Sequence, residues 1–398
     1  MHKLAFLFPG QGAHFIKMGK GIYDQYKIAR DTFEEVSQYS SLDIRKLCFE
    51  GRLAELSKSK NAHLCTLACS ISAFRVYMQE IGDTPQFLAG HSLGEYIALT
   101  AAGVFTLEDV VKIISIRADI ADRATKESNG IMSIIENVSN DQVKEVVNEL
   151  SAKGKKIYIS SYTSANQTAI SGVVGDMREC ENKLLELGAG VTPLFGSAPY
   201  HSSLMIPYLD ELKNILKETK MMPFNYPVIS NVTGEVYKSI DDIPEYLAKH
   251  FSQTVLWTDT MKLLYDNKVD TIIEMSPKIL LANIVKNEYD DINAICFCNK
   301  TEREKIIEMY RNRISSLIKK CLVTAVSTRN TNMDNFEYEN GVIVPYNRIQ
   351  EINGKYNDNK NQMSNEDKEE VLVLIQRILD TKKLPYNEQI EWLEWIKN

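Results

Sequence analysis

The chain has 398 residues, 44% of them hydrophobic, so it can bury a sizeable core and is not disordered throughout. Its net charge of −7, from 46 basic and 53 acidic residues, argues against nucleic acid or an anionic membrane as the main partner. No apolar run reaches the roughly 18–20 residues that a membrane span needs. Seven scattered cysteines without metal-ligand spacing are typical of reduced thiols, so we expect a cytoplasmic protein with no metal and no cofactor.

The first predicted strand covers residues 3–8 and runs into the turn Phe8-Pro9-Gly10-Gln11-Gly12. Its short apolar run lacks a cleavage site and ends abruptly, which favours a buried strand over a signal peptide. Glycines on both sides of Gln11 let the backbone approach a ligand closely and point N–H groups at it. The Lys-Ser/Thr pair of a phosphate-binding P-loop is missing, so that kind of loop is rejected. Helical patterns follow over residues 15–39, 42–56 and 62–81.

The central motif is Gly90-His91-Ser92-Leu93-Gly94, between a predicted strand at 84–89 and a predicted helix at 95–102. The order strand, glycine, serine, glycine, helix is typical of a nucleophile elbow, whose tight turn exposes the serine. At a helix N-terminus, free N–H groups and the helix dipole favour developing negative charge. The alternative is a glycine-rich turn with an idle serine.

An acyl-transfer serine also needs hydrogen-bond donors for the oxyanion that forms on the substrate carbonyl. Enzymes with a nucleophile elbow use the N–H of the residue after the nucleophile and a second N–H from a separate strand-end loop. In this sequence those two groups would be the N–H of Leu93 and the N–H of Gln11.

The helix after the elbow begins at Thr106, a good N-cap with Asp109 at the capping-box position. It carries Arg117 among isoleucines, on a mostly apolar helix. Pattern alone leaves two alternatives open: a surface arginine with its stem packed on apolar neighbours, or a buried functional group.

The sequence pattern changes near residue 128, where predicted short strands and amphipathic helices begin to alternate. Their order is β-α-β-β-α-β over about 70 residues, which is the ferredoxin-like pattern, and it predicts a small inserted domain. The alternating strands and helices on either side of it predict an α/β body with a mostly parallel sheet. The predicted small-domain elements are strands at 130–135, 157–162, 167–172 and 191–194 and helices at 140–152 and 177–187.

His201 is the candidate base for the elbow serine. It lies in a loop after Pro199, before a helix predicted at 204–217. A lone loop histidine usually decorates the surface, but a serine nucleophile needs a base, and the tight turn should direct the adjacent His91 elsewhere.

The last hundred residues differ in composition from the rest. We predict a charged helix at 303–323, an asparagine-rich stretch at 327–340, a polar linker at 353–362 and a capped helix from Ser364 to about 384. Two interpretations of this tail are equally supported: it packs on the rest of the chain, or its helices dock a partner.

Several short motifs, in one order and at compatible spacing, resemble the malonyl-CoA:acyl-carrier-protein transacylases and the related acyltransferases of polyketide synthases. The resemblance covers about residues 1–300. It implies an α/β-hydrolase-like large domain with a parallel sheet (1–126 and 198–300), an inserted ferredoxin-like small subdomain (127–197), and a helical C-terminal extension with a polar linker (301–398). The motifs are Phe8–Gly12, Gly90–Glu95, Arg117, Ser197–Ser202, Asn231–Gly234 and Glu274–Pro277.

The resemblance also implies a role for each matching residue. Ser92 is expected to carry the acyl group as an ester, with His201 as its general base and acid. Gln11 and Leu93 are expected to form the oxyanion hole. Arg117 is expected to bind the free carboxylate of malonate, because a guanidinium matches a carboxylate in two parallel hydrogen bonds. Further expected roles are substrate binding by His91 and Asn231, and orientation of the catalytic histidine by a backbone carbonyl in the loop at His250.

The sequence departs from the family pattern at several positions. His250 takes the place often held by glutamine, and no acidic third member of the serine–histidine pair can be named. A bulky aromatic at Tyr200 leans towards malonyl over methylmalonyl. The remaining departures are Ser276 and Lys278 in place of glycines, Thr254 in place of a proline, and Ser161 and Thr163 in place of asparagines.

The expected function is therefore transfer of malonyl from malonyl-CoA to the phosphopantetheine thiol of a holo acyl carrier protein. The alternatives are an editing hydrolase that releases acyl groups from carrier proteins and a non-catalytic docking subunit of a synthase complex. The C-terminal extension favours a stand-alone, trans-acting enzyme of polyketide biosynthesis over fatty acid biosynthesis, with synthase modules as candidate partners. Lys153, Lys155 and Lys156 are candidates for contact with an acidic carrier protein.

Overall fold

The computed structural model describes residues 3–194, 196–357 and 363–397. The chain divides into two compact units, Met1–Val76 with Thr84–Glu302, and Tyr77–Asp83 with Arg303–Asn398. Within the described residues, no helix is long and apolar enough to cross a membrane.

The strands of the described chain belong to the first unit. They are β1 (Leu4–Phe8), β2 (Phe87–Gly90), β3 (Gly130–Glu136), β4 (Ile157–Ser164), β5 (Gln167–Val173), β6 (Gly190–Pro193), β7 (Val228–Ile229), β8 (Thr271–Glu274) and β9 (Asn293–Cys296).

The helices cover both units. They are α1 (Lys20–Gln25), α2 (Lys27–Ser40), α3 (Ile44–Phe49), α4 (Leu53–Leu56), α5 (Ser59–Glu80), α6 (Leu93–Ala101), α7 (Leu107–Ser128), α8 (Asn140–Ala152), α9 (Val174–Glu186), α10 (Leu209–Glu218), α11 (Ile243–His250), α12 (Trp257–Asp266), α13 (Leu281–Glu288), α14 (Lys300–Ser327), α15 (Asn335–Tyr338), α16 (Val344–Asn357), α17 (Asn365–Thr381) and α18 (Tyr386–Lys397).

The larger sheet has the strand order β7-β2-β1-β8-β9 in the described chain, and every neighbouring pair is parallel. The central strand β1 is buried along its whole length, as expected for a parallel sheet covered by helices. Phe8 pairs with Gly90 in register, so β1 and β2 end side by side. The predicted α/β body with a parallel sheet is confirmed. The loops after β1 and β2 therefore meet at the carboxyl edge of the sheet, where open α/β sheets bind their ligands.

The smaller sheet is antiparallel, with the order β4-β5-β3-β6. The apolar faces of α8 and α9 pack on it, with Val143 and Val147 from α8 and Met177 and Leu184 from α9 in one buried cluster. The predicted β-α-β-β-α-β order is confirmed, because alternating side chains of half-covered strands and an apolar helix stripe leave a clear pattern.

A helix predicted to begin at 204 is divided in two. A 3₁₀ helix covers Ser203–Tyr208 and contains Pro207, and α10 begins only at Leu209. Proline has no N–H to donate to the preceding turn, which explains the change of helix type.

The second unit has a core of its own. Ile318 and Cys321 of α14, Ile352 of α16 and Ile375 of α17 lie in one buried cluster. The side chain of Lys382 is also buried, and its Nζ donates to the carbonyl oxygens of Ala325 at 2.6 Å and Thr328 at 2.8 Å. These carbonyls lie at the C-terminal end of α14, where a cation is favoured.

The predicted polar linker at 353–362 is wrong over residues 353–357, because α16 continues to Asn357. Buried Ile349 and Ile352 anchor that helix in the core, and the polar residues beyond them extend it. Residues 358–362 lie outside the described part of the chain.

Six cysteines are buried, and Cys298 is half-buried. Burial raises the pKa of the thiols of Cys180, Cys296 and Cys321 to about 12. These thiols are therefore almost entirely protonated near neutral pH.

Gly90→Ala tests how closely the turn after β2 is packed. A Cβ at this position would lie 1.9 Å from the backbone carbonyl carbon and oxygen of Gly94, and neither can move aside as a side chain could. We expect a loss of about 3 kcal/mol or more of unfolding free energy, measured by thermal denaturation.

Gly175→Ala is the matched control for this variant. A Cβ added to Gly175, in α9, would have no atom within 4 Å, and helix propensity favours alanine by about 0.5–1 kcal/mol. Equal melting temperatures for the two variants would contradict the expectation.

Candidate active site

Ser92 lies between β2 and α6 with φ 52° and ψ −108°, a strained backbone conformation for a residue with a side chain. The turn is layered directly on the loop after β1. The N–H of His91 donates to the carbonyl of Phe8 at 3.0 Å, and a Cβ on Gly94 would lie 2.2 Å from the same oxygen. Backbone contact therefore requires glycine at position 94. The same contact fixes the position of Ser92 relative to the end of β1.

Ser92 and His201 are in hydrogen-bond contact. The distance from Ser92 Oγ to His201 Nε2 is 2.7 Å, and His201 Nδ1 lies 2.6 Å from the backbone carbonyl oxygen of His250. A carbonyl only accepts, so Nδ1 carries the proton and Nε2 is left to accept from the serine hydroxyl. Burial, together with the charge of Arg117, lowers the pKa of His201 to about 3. The imidazole is neutral at ordinary pH and can take the serine proton.

The loop after β1, which contains Gln11, packs against the turn that carries Ser92. A Cβ on Gly10 would lie 2.7 Å from the carbonyl oxygen of His91, so the loop and the elbow are in contact. Leu93 is the first residue of α6, and its N–H therefore has no acceptor within the helix. Both predicted oxyanion donors lie at the same end of the sheet as Ser92.

Arg117 is 1% exposed, so the surface alternative for this residue is wrong. Its guanidinium lies over the ring of Tyr200 at 4.4 Å and within 5.4 Å of the rings of Tyr96 and Phe251. Its Nε and Nη1 have no hydrogen-bond partner in the described residues. Unpaired buried donors are costly, so this site is suited to an anion that can satisfy them. A carboxylate fits best, because it can accept from two guanidinium nitrogens at once.

Asn231 supports the elbow itself. Its Oδ1 accepts from the N–H of Ser92 at 2.8 Å, and its Nδ2 donates to the carbonyl of Gly90 at 2.7 Å. Both polar atoms of its amide are therefore engaged by the turn. Substrate binding by Asn231 stays a prediction.

His91 points away from Ser92, as its place in the tight turn suggests. Its Nε2 lies 3.0 Å from Ser161 Oγ, and its ring packs edge-on against Trp257. Burial lowers its pKa to about 4, so it is neutral. These contacts join the elbow to β4 of the smaller sheet, and a substrate role for His91 also stays a prediction.

A cleft of about 580 Å³ opens next to His201. One side is formed by residues of α8 and β4, including Lys144 and Tyr158, and the other by loop residues that include Ser202 and Gln253. The cleft therefore reaches the catalytic histidine, whose Nε2 contacts Ser92.

Two of the lysines predicted to contact a carrier protein are already paired. Lys153 Nζ lies 2.5 Å from Glu149 Oε1, and Lys155 Nζ lies 3.0 Å from Glu179 Oε2. Their charges are largely compensated by these neighbours, which weakens that prediction.

The sequence analysis included Glu95, a fully buried carboxyl on α6, in a motif but gave it no role. Its Oε1 accepts from Tyr237 Oη at 2.7 Å and from the N–H of Asn231 at 3.2 Å, and its Oε2 lies 3.1 Å from His250 Nδ1. Burial raises the pKa of Glu95 to about 7. The available signal was a charged residue three positions after the motif serine, on an otherwise apolar helix.

The aromatic residues around Arg117 were missed as a group, because Tyr96 and Phe251 come from segments that are far apart in the sequence. No local pattern joins them.

Known proteins resemble this chain in both sequence and fold. The malonyl CoA-acyl carrier protein transacylase of Bacillus subtilis is 33% identical over 404 residues, covering 99% of this chain and 100% of that protein. FabD from Acinetobacter baumannii superposes with a TM-score of 0.73 at 30% identity, covering 77% of this chain and 98% of that one. A malonyl-transacylase solved in complex with its holo type II polyketide synthase acyl-carrier protein gives a TM-score of 0.74 at 27% identity, covering 77% of this chain and 99% of that one.

The model of the acyl transferase domain family matches residues 5–331, which is most of the chain. With Ser92 in its elbow and His201 in hydrogen-bond contact with it, the chain belongs to the acyl transferase domain family.

Proposed function

We propose that this protein is an acyl-carrier-protein S-malonyltransferase, which moves malonyl from malonyl-CoA to the phosphopantetheine thiol of a carrier protein through an ester on Ser92. The observation that carries the proposal is the 2.7 Å contact between Ser92 Oγ and His201 Nε2, near a buried arginine whose Nε and Nη1 have no hydrogen-bond partner among the described residues. A serine–histidine pair alone suits any acyl transfer. The arginine selects an acyl group that ends in a carboxylate.

In the first half-reaction His201 Nε2 takes the hydroxyl proton of Ser92 as Oγ attacks the thioester carbonyl carbon. The oxyanion that forms accepts from the N–H groups of Leu93 and Gln11. The carbon–sulfur bond then breaks, and the coenzyme A sulfur takes the proton from His201. The products are malonyl-Ser92 and free coenzyme A, and His201 is neutral again.

The second half-reaction runs the same steps in reverse order with a different thiol. The carrier's phosphopantetheine thiol gives its proton to His201 as its sulfur attacks the ester carbonyl. The bond from the carbonyl carbon to Ser92 Oγ breaks, and Oγ takes the proton back. Throughout both halves, the carbonyl of His250 holds Nδ1–H and keeps Nε2 aimed at the serine.

The comparisons support this assignment, since the similar proteins are named as malonyl transacylases. We propose that residues 1–126 and 198–300 form the acyltransferase body, with 127–197 as its small subdomain and 301–398 as an extension. Two solved relatives are matched over 98% and 99% of their own length but cover only 77% of this chain, which supports treating the extension as a separate part.

We also propose a trans-acting role in polyketide biosynthesis, with synthase modules as partners of the extension. Support comes from the likeness to a transacylase that was solved with the acyl-carrier protein of a type II polyketide synthase. Buried, reduced cysteines support a cytoplasmic location.

The covalent intermediate on Ser92 can be detected by mass. Incubation with malonyl-CoA should add the mass of one malonyl group to the wild-type protein. When holo carrier protein is then added, the malonyl group should move from the enzyme to the carrier. Ser92→Ala should form no adduct, and His201→Ala should slow acylation by about 10²–10⁴-fold, because the hydroxyl loses its base. Ser37→Ala, which changes a serine of α2, should acylate like the wild type.

The outcomes of this experiment also separate the other functions. An adduct that is lost to free malonic acid faster than it reaches the carrier would identify an editing hydrolase. The absence of any adduct on the wild-type protein would leave a docking subunit.

Acyl selectivity tests the role of Arg117. Arg117→Ala should lower kcat/KM for malonyl-CoA by about 10- to 100-fold, the equivalent of one charged hydrogen-bonded contact, and should not lower it for acetyl-CoA. The measurement is the ratio of the two kcat/KM values. Arg123→Ala is the matched control, because this arginine lies on the same helix but is half-exposed and pairs with Glu211. A malonyl preference that survives in Arg117→Ala would rule out the carboxylate contact.

A further inference from the structure

In the described chain, the Nδ1 of the catalytic histidine bonds to a backbone carbonyl, where many serine hydrolases place an acidic side chain. That carbonyl belongs to His250, whose own side chain is buried. The His250 ring stacks on the His201 ring with centroids 4.7 Å apart and planes 29° apart. Its Nδ1 lies 3.1 Å from Oε2 of Glu95, close enough for an electrostatic contact, although Oε2 accepts no hydrogen bond within the described chain. The His250 ring therefore lies between a buried acid, Glu95, and the catalytic base, His201.

The same carboxyl reaches the nucleophile by a second route. Oε1 of Glu95 accepts from the backbone N–H of Asn231, and the side chain of Asn231 binds the N–H of Ser92 and the carbonyl of Gly90. One acidic group thus contacts both the residue that holds the serine turn and the residue that holds the histidine. Two independent structural supports converge on it.

The charge balance of the site gives this carboxyl a role beyond packing. Proton transfer from Ser92 makes His201 a cation, next to a stacked His250 and near the positive Arg117. Burial, with His201 and Arg117 nearby, keeps the pKa of His250 well below its usual range, so His250 stays neutral. The carbonyl of His250 stabilises part of this new charge, and a nearby negative group adds to that stabilisation strongly in a site that excludes water. In the described chain, the other titratable or charged groups close to Glu95 and His250 are Tyr96, Tyr237 and His91.

We propose that Glu95 is the positioning carboxyl of the serine–histidine pair, acting through the His250 side chain on the base and through Asn231 on the nucleophile. The proposal rests on the acyl-transfer function above. In this assignment the ionised carboxyl holds the His250 loop and the Ser92 turn in one geometry and favours the imidazolium that forms on His201.

A dependence on pH follows from the state of Glu95. The carboxyl is ionised above its pKa of about 7 and takes up a proton as the pH falls through that value. His201 itself stays unprotonated down to about pH 3, since its own pKa lies there. The acylation rate should therefore fall as the pH falls through about 7, although the base has not titrated.

The test is the rate of malonyl-Ser92 formation from malonyl-CoA alone, followed by quenched-flow mass measurement between about pH 5 and pH 9. Wild type should lose rate below about pH 7. Glu95→Gln, which is always neutral, should be about 10- to 100-fold slower at high pH, with KM little changed and no step near pH 7. His250→Gln keeps the backbone carbonyl but loses the ring next to Glu95. The fall in acylation rate below about pH 7 should be smaller in this variant.

Tyr237→Phe keeps the test decisive if Glu95→Gln fails to fold. It removes the Tyr237 hydrogen bond to Oε1, which favours the ionised carboxyl. The pKa of Glu95 should rise, so the step in the rate should move to higher pH. A purely structural role for the hydrogen bond would lower stability without moving the step.

Glu274→Gln is the matched control. Glu274 is also fully buried, with a pKa raised by burial to about 7, but its oxygens accept from the N–H groups of Leu280–Ala282 at the start of α13. This variant should keep the step near pH 7, because the environment of Glu95 is unchanged.

The proposal is overturned if Glu95→Gln keeps the wild-type rate and step, if the step does not move in Tyr237→Phe, or if Glu274→Gln also abolishes it. A wild-type protein that forms no adduct would instead refute the proposed function.

Discussion

Contact between two backbone segments, the turn after β1 and the turn after β2, determines the rest of the active site. The Phe8 carbonyl accepts from His91, and Gly10 and Gly94 leave no room for a side chain between the layers. This packing holds Ser92 at a positive φ, and His201 also has a positive φ of 58°. Strained backbone at both reacting residues costs about 1–3 kcal/mol each, and persists only where the surrounding structure determines it fully. The parallel sheet supplies that support by ending β1 and β2 side by side.

Burial of the polar groups explains how one small site can be both reactive and selective. The same exclusion of water lowers the pKa of His201, raises that of Glu95 and leaves donors of Arg117 unpaired among the described residues. Each group is consequently poised for a partner that arrives with the substrate or forms during the reaction. The aromatic rings around Arg117 lower the cost of burying its charge, because ring faces attract the guanidinium without occupying its N–H groups.

Local patterns were sufficient to predict the parallel sheet, the small antiparallel domain and the elbow, because strand alternation, helix stripes and paired glycines all act over a few residues. Ser92, His201 and Arg117 were predicted because motifs mark them, and the structure brings them together. Glu95 could not be given a partner from sequence, since the groups around it come from residues 231, 237 and 250. The linker was predicted to begin too early because polar composition was taken as the absence of helix, whereas Ile349 and Ile352 were already enough to anchor α16.

The burial of the cysteines has a consequence for a protein that handles thioesters all the time. A thioester exchanges readily with any accessible thiolate, so an exposed cysteine near the cleft would compete with Ser92 and with the carrier for the acyl group. Here six of the seven thiols are buried, and the pKa of Cys180, Cys296 and Cys321 is raised to about 12. Burial of these six thiols therefore disfavours transfer of the acyl group to cysteine in place of Ser92 or the carrier thiol.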